Sequence, residues 1–237
     1  MYKYLLFDID GTLMDFDRDM DYAFRYMYEH SGLSKTKPLT ASLMELYETR
    51  NKYWWQRFEH GLCTKKELFN NRFTEFFEEA DLPKLDPDYI NEMYFGALGQ
   101  TGTLFPGAEA LLSKLSTKYT IYIVTNGNAS SQKTRLERSG ILRFIRDYFI
   151  SETAGSAKPD KRYFDYVLSH IPGAEPKDCL VIGDSLSSDM LGACNAGMDS
   201  IWYNPKHVAS DPDIPVTHTV ESFDEILDLL QNDDERA

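Results

Sequence analysis

Carboxylates recur in this sequence where short apolar runs end. Asp8-Ile9-Asp10-Gly11-Thr12-Leu13 follows one such run, and Gly183-Asp184-Ser185, with Asp189 just beyond, follows Leu180-Val181-Ile182. A third run, Thr120 to Val124, ends in Thr125-Asn126-Gly127, and Lys158-Pro159-Asp160 precedes a helical pattern. In a parallel sheet, ligands bind at the carboxyl ends of the strands, so Asp8, Asp10 and Asp184 are expected to converge at one sheet edge. Acids gathered in this way repel one another, and a hard divalent cation relieves the repulsion. Mg²⁺ is the cation expected, because it takes oxygen ligands, retains waters and is commonly shared with a phosphate. The five histidines, His30, His60, His170, His207 and His218, lie outside these clusters, which disfavours a zinc or iron centre.

The elements that must position these residues follow from pattern. Lys3 to Phe7 reads as a buried strand running into a tight turn. From about Asp17 to Gln100 apolar residues recur at helical spacing, giving helices over about 18–30, 41–59, 65–80 and 87–98. Ser42-Leu43-Met44-Glu45 and Thr64-Lys65-Lys66-Glu67 both fit a capping box. Beyond Pro106-Gly107 helices and strands alternate. Helices are expected over 108–115, 129–139, 161–170, 187–196 and 223–230, and strands over 120–124, 148–150, 180–182 and 200–203. Alternation of this kind implies βαβ crossovers and a doubly wound, Rossmann-like parallel sheet with helices on both faces. The first strand is separated from the next by about 85 helical residues, too long for a loop, so an inserted all-helical domain is expected. The domains are then 1–15 with 101–237 for the α/β core and 16–100 for the insertion.

Composition limits the function classes. The chain has 237 residues, 42% hydrophobic and 27% charged, enough for a sizeable core. Its net charge of −13 makes it a poor partner for a nucleic-acid polymer, and any anionic substrate needs a local cation. No apolar run approaches the roughly 20 residues of a membrane span, and the N-terminal stretch is too short and too acidic for a signal peptide. The three cysteines, Cys63, Cys179 and Cys194, form no CxxC pair and read as buried free thiols. The expectation is a cytoplasmic protein acting on a small molecule. The acidic run Asn232-Asp233-Asp234-Glu235 is the one biased segment.

Taken in order, Asp8-x-Asp10-Gly11-Thr12-Leu13, Thr125-Asn126-Gly127, Lys158-Pro159 and Gly183-Asp184-x4-Asp189 resemble the four motifs of the haloacid-dehalogenase-like superfamily. The insertion just after the first motif resembles that superfamily's helical (C1) cap. The resemblance implies roles at matching positions. Asp8 would be the nucleophile that forms an aspartyl-phosphate. Asp10 would protonate the leaving oxygen and then activate water, its backbone carbonyl also binding Mg²⁺. Thr125 and the Asn126 amide would hold phosphoryl oxygens, and Lys158 would neutralise Asp8 and the phosphate. Asp184 would ligate Mg²⁺ alongside Asp8, and Asp189 would hold metal waters or Lys158. Family dehalogenases lack the second aspartate of the first motif, since a halide needs no proton on leaving. Asp10 therefore argues for phosphate chemistry. A mutase keeps both aspartates and is disfavoured by Thr12 and Asp189.

The segment Phe16 to Gln100 holds 17 of the chain's 32 aromatics in 85 residues. Packing of a four-helix cap accounts for most of them. Trp54 shares a helical stripe with Leu43, Tyr47 and Phe58. Trp55 has Glu48, Asn51, Lys52 and Glu59 as helical neighbours, so it lines a pocket, touches another helix or lies on solvent. Phe16, which follows the Asp8 loop, is the other candidate to meet a substrate. The runs Ile-Val-Thr-Asn-Gly-Asn, Gly-Ser-Ala-Lys-Pro-Asp and Gly-Asp-Ser-Leu-Ser-Ser-Asp are similar to a bacterial subgroup of the superfamily that acts as pyrimidine 5′-nucleotidases. That resemblance implies an enzyme hydrolysing small phosphomonoesters. A phosphoglycolate or sugar-phosphate phosphatase, a hexose-phosphate mutase and a catalytically dead binding module are the alternatives.

Overall fold

The computed structural model describes residues 2–235, with side chains described through Gln231. The described chain divides into two compact units, with crossings at Phe16/Asp17 and Thr101/Gly102.

The helical unit contains α1 (Phe16–His30), a short α2 (Leu33–Thr36), α3 (Ala41–Glu59), α4 (Lys65–Glu79) and α5 (Pro87–Leu98). Thr64 and Glu67 form the expected reciprocal cap at the start of α4, Thr64 Oγ1 accepting from the Glu67 amide and Glu67 Oε2 from the Thr64 amide. The box expected at Ser42–Glu45 does not form. Thr40 caps α3 instead, accepting from the Leu43 amide at 3.3 Å, which places Ser42 inside the first turn. Thr40 takes an extended backbone and carries the same hydroxyl, so it meets the requirement two residues earlier.

Aromatic packing fills this unit. Phe24 stacks on Tyr47 with centroids 4.1 Å apart, and Phe73 contacts Tyr47 at 5.3 Å and Tyr94 at 5.6 Å. Trp54 is buried as expected. At the centre lies Arg72, which is also buried. Its guanidinium donates to Asn51 Oδ1 (2.8 Å) and Asn91 Oδ1 (3.1 Å) and sits 4.7 Å from the Tyr94 ring centroid. Two amide carbonyls and the π-faces around it offset the desolvation of that charge.

The α/β unit is built on a parallel sheet of β1 (Tyr4–Phe7), β2 (Thr120–Thr125), β3 (Asp147–Ile150), β4 (Cys179–Gly183), β5 (Asp199–Tyr203) and β6 (His218–Val220), in the order β3-β2-β1-β4-β5-β6. Around it run α6 (Ala108–Leu115), α7 (Ala129–Ser139), α8 (Ser151–Ala154), α9 (Lys161–Ser169), α10 (Leu191–Ala196) and α11 (Phe223–Glu235). The expected doubly wound fold is thus present. Side chains alternate across the sheet. Leu5, Phe7, Ile123 and Ile182 enter one apolar layer with α6 and α11, while Leu6, Val124 and Val181 enter the other with α9. Both faces are covered, which is why the strands read as unbroken apolar runs.

Two differences matter for the site. The helix expected over 187–196 begins as a π-helical turn, Leu186–Met190, capped by Ser185 and followed by α10. The edge strand β6 has three residues, too few to carry a periodic signal. The acidic run 232–235 ends α11, and its side chains lie outside those described. Among the described residues no helix is long and apolar enough to cross a membrane.

Candidate active site

The strand order reverses at β1, which pairs with β2 on one side and β4 on the other. Phe7 aligns with both Ile123 and Ile182. Asp8 and Asp184, which follow β1 and β4, and Thr125, which ends β2, therefore lie at the same edge of the sheet, at the crevice that a switch in strand order creates. The Asp8 amide still donates to the Ile182 carbonyl at 2.8 Å. The chain then turns sharply, with the Leu13 and Met14 amides both donating to the Ile9 carbonyl. Gly11 makes this turn possible. Its φ is +85°, and a Cβ there would sit 2.3 Å from Asp184 Oδ2. A side chain is equally excluded at Gly183, where a Cβ would lie 2.3 Å from Asp189 Cγ.

Lys158 organises the centre. Its ammonium is 2% exposed and donates to Asp8 Oδ1 (2.6 Å), Asp189 Oδ1 (2.6 Å) and the Val124 carbonyl (2.9 Å). Burial alone would favour the neutral amine. Asp189 and Asp8 outweigh it and hold the lysine's pKa above its ordinary value. The lysine is brought in by Asn126, whose side chain accepts from the Lys158 amide (3.0 Å) and donates to the Lys158 carbonyl (2.8 Å). The Lys158–Pro159 peptide is cis. The Asn126 carboxamide is thus committed to the lysine loop, and its own backbone amide is the group left for a ligand role.

Asp189, 1% exposed, uses both oxygens internally, Oδ1 toward Lys158 and Oδ2 toward the Ser185 amide (3.1 Å). The π-helical turn after Ser185 places it there. Thr12, named in the sequence only as part of the first motif and as an argument against a mutase, has its hydroxyl 3.4 Å from both Asp8 Oδ2 and Asp184 Oδ1. Trp202, for which the sequence suggests no role at the site, donates its indole N–H to the Asp184 carbonyl at 2.9 Å and fixes that loop.

One carboxylate oxygen from each of Asp8, Asp184 and Asp189 lies within 4.8 Å of the other two. The Asp8 carboxyl is pushed up to about 7, chiefly by burial and with Asp189 and Asp10 adding to it, against the opposing pull of Lys158. Asp184 is pushed well above its ordinary value by loss of hydration among the neighbouring groups and by repulsion from Asp8 and Asp189, with Lys158 opposing. An all-oxygen set with excess negative charge suits a hard divalent cation such as Mg²⁺. Asp8 and Asp184 have oxygens to offer it, whereas Asp189 is already occupied by Lys158 and Ser185.

The Asp10 carboxylate lies outside this cluster. Arg135 Nη1 donates to its Oδ1 (2.6 Å) and Gln132 Nε2 to its Oδ2 (2.5 Å). Gln132 also donates to Thr125 Oγ1 (2.9 Å), which links the second strand end to Asp10. Gln132 and Arg135 were missed in the sequence because they sit on a strongly polar helix and read as solvated. The available signal was their spacing of three on α7, next to apolar Leu136, which places them on its inner face.

Phe16 is half-buried, its ring centroid 5.7 Å from the Arg135 guanidinium carbon. Trp55 belongs to the helical unit, half-buried edge-to-face against Phe58 (5.9 Å) and Phe69 (6.2 Å). Of the three placements open to it, contact with another helix is realised, through Phe69 of α4.

Comparison with known proteins agrees with this geometry. The family described as "Hydrolase: haloacid dehalogenase-like hydrolase" matches residues 2–197. The chain is 35% identical to the pyrimidine 5′-nucleotidase PynA of Streptococcus pneumoniae, over 97% of this chain and 95% of that protein. It is 34% identical to the pyrimidine 5′-nucleotidase YjjG of Escherichia coli, over 97% of this chain and 98% of that protein. A crystal structure of the HAD-hydrolase YfnB from Bacillus subtilis, bound to magnesium, superposes with a TM-score of 0.90 at 36% identity, covering 97% of this chain and 98% of that one.

Proposed function

Because the chain belongs to the haloacid dehalogenase-like hydrolase family, we propose that it is a Mg²⁺-dependent phosphatase working through an aspartyl-phosphate on Asp8, with pyrimidine nucleoside 5′-monophosphates as preferred substrates. The observation that carries the chemistry is the Lys158 ammonium held between Asp8 and Asp189 beside Asp184. A carboxylate can approach a phosphate dianion only where positive charge offsets the repulsion, and Lys158 provides part of it. When bound by Asp8, Asp184 and the Asp10 carbonyl, Mg²⁺ supplies the rest and keeps Asp8 ionised at neutral pH.

In the first step an Asp8 oxygen bonds to phosphorus as the bond to the leaving oxygen breaks, and Asp10 gives that oxygen a proton. In the second step Asp10 takes a proton from water, the water oxygen bonds to phosphorus, and the bond to Asp8 breaks to release phosphate. Thr125 Oγ1 and the Asn126 amide hold phosphoryl oxygens meanwhile, and Asp189 keeps Lys158 in place.

The substrate reading rests on similarity to PynA and YjjG over nearly the whole chain. We assign the helical unit as the cap that selects the leaving group, and Phe16 and Trp55 as the aromatics offered to a base. Phosphate release measured with Mg²⁺ across nucleoside monophosphates, sugar phosphates and phosphoglycolate tests the reading. A pyrimidine nucleotide should have the highest kcat/KM. A tenfold advantage for phosphoglycolate or a hexose phosphate would leave the phosphatase and remove the nucleotidase.

A further inference from the structure

The inner face of α7 carries Ser131, Gln132 and Arg135 beside Leu136, all of them buried. A helix packed against a sheet meets its neighbours best with apolar side chains, and burying an amide and a guanidinium costs free energy unless each is satisfied. Here both are turned toward one loop. Arg135 is 0% exposed and Gln132 1%, while the Asp10 side chain they hold is 22% exposed. Arg135 Nη1 also donates to Gln132 Oε1 at 2.9 Å, so the two donors brace each other. The Phe16 ring lies near the same guanidinium.

We infer that Gln132 and Arg135 are positioning residues that fix the Asp10 carboxylate for its proton transfers. The inference rests on the assignment of Asp10 as acid and base. A carboxyl that serves the leaving oxygen and then water has to present one oxygen at hydrogen-bond distance from each. Asp10 sits on a loop, so its rotamer has to be chosen by neighbours. Arg135 holds Oδ1 with a charge-assisted bond that has no reason to open during the reaction. Gln132 holds Oδ2 with a neutral amide that already has a second acceptor in Thr125. Oδ2 is therefore the oxygen that carries the proton. It gives the proton to the leaving oxygen as the phosphorus–oxygen bond breaks, and receives one from water in the second step. Through the whole cycle Oδ1 stays on Arg135.

The test uses Gln132→Ala, Arg135→Lys, Arg135→Met, Asp10→Asn and the double variant Asp10→Asn/Gln132→Ala. Each is first checked for fold by circular dichroism and thermal unfolding, and then assayed with Mg²⁺ on a pyrimidine nucleoside monophosphate and on an aryl phosphate. Misplacing a catalytic group costs on the order of 10–100-fold. Gln132→Ala should lose about that much kcat on the nucleotide, with KM little changed, and lose less on the aryl phosphate, whose leaving oxygen needs less protonation. Arg135→Lys should retain more activity than Arg135→Met. The double variant should be no slower than Asp10→Asn, because residues acting through one group are not additive. Equal losses on both esters, or a double variant that loses the product of the single effects, would overturn the positioning role. If Asp10→Asn is slow while folded Gln132→Ala and Arg135→Lys run at the wild-type rate, only this inference fails. If Asp10→Asn itself keeps wild-type turnover on the nucleotide, the acid–base assignment fails and takes the inference with it.

Discussion

Lys158 Nζ lies 2.6 Å from Asp189 Oδ1, and both side chains are almost wholly removed from water. With Asp8 at the same distance on the other side, one buried cation serves two carboxylates. Removing one partner of a buried ion pair typically costs about 3–5 kcal/mol, because the remaining charge is left without compensation. Lys158→Met should therefore lower unfolding free energy by that order in chemical denaturation, as well as abolish turnover. Asp189→Asn should be milder in stability, since Lys158 keeps Asp8. A Lys158→Met variant as stable as the wild type would mean that the pair is not formed in solution.

The pH dependence of cation binding follows from Asp8. Its folded-state pKa is raised from 3.8 to about 7. Between those values the folded protein holds a proton that the unfolded chain has lost, so without a cation stability falls as pH rises through that window. Asp184 is shifted in the same direction. A divalent cation binds the ionised acids, and at pH 5 it has to displace protons to do so. Added Mg²⁺ should then raise Tm more at pH 8 than at pH 5. The difference between the two pH values should shrink in Asp184→Asn. An equal Mg²⁺ shift at both pH values in the wild type would contradict the assignment of these acids as ligands.

Gly11→Ala tests how tightly the Asp8 loop is drawn against Asp184. A left-handed backbone costs a non-glycine residue roughly 1–2 kcal/mol. The added methyl would also press on the Asp184 carboxylate. Weaker Mg²⁺ binding by calorimetry should accompany the stability loss. Unchanged Mg²⁺ affinity would show that Asp184 can move aside freely.

Substrate preference should follow the aromatics. Stacking a base on an aromatic side chain is worth about 1–3 kcal/mol in single-strand binding sites. Phe16→Ala or Trp55→Ala should accordingly lower kcat/KM for nucleotides by about 5- to 150-fold, with activity on a small aryl phosphate nearly unchanged. The contacts of Trp55 with Phe58 and Phe69 add a stability cost, so thermal unfolding has to be measured alongside. If neither substitution separates the two substrate types, the base is held elsewhere.

The residues legible in the sequence were those whose environment repeats along the chain. Asp8, Thr125 and Asp184 each follow a strand that is apolar on both faces, so the strand pattern marked them. The longer helices of the insertion were legible from their apolar spacing and, at Thr64–Glu67, from a cap. What stayed hidden depends on distant partners. Gln132 and Arg135 read as polar helix surface until Asp10, more than 120 residues earlier in the chain, is seen to occupy them. The Asn126 amide read as a ligand for phosphate, but nothing local marked its side chain's partner, the backbone of Lys158, 32 residues on. The choice between Thr40 and Ser42 as a cap turned on backbone conformation, which the two hydroxyls do not distinguish. Arg72 fell on an apolar stripe, and the two asparagines and the aromatic rings that accept it come from three different helices.

The central claim is that Asp8 is the nucleophile, and the most direct measurement is phosphate release from a pyrimidine nucleoside monophosphate by Asp8→Asn with saturating Mg²⁺. The change is nearly isosteric and keeps a hydrogen-bonding group opposite Lys158, so the folded state should survive and its thermal unfolding should confirm that. Turnover should fall to the background rate in the folded variant. A folded Asp8→Asn enzyme that hydrolyses the nucleotide at a rate near the wild type would contradict the assignment of Asp8 as the group that attacks phosphorus.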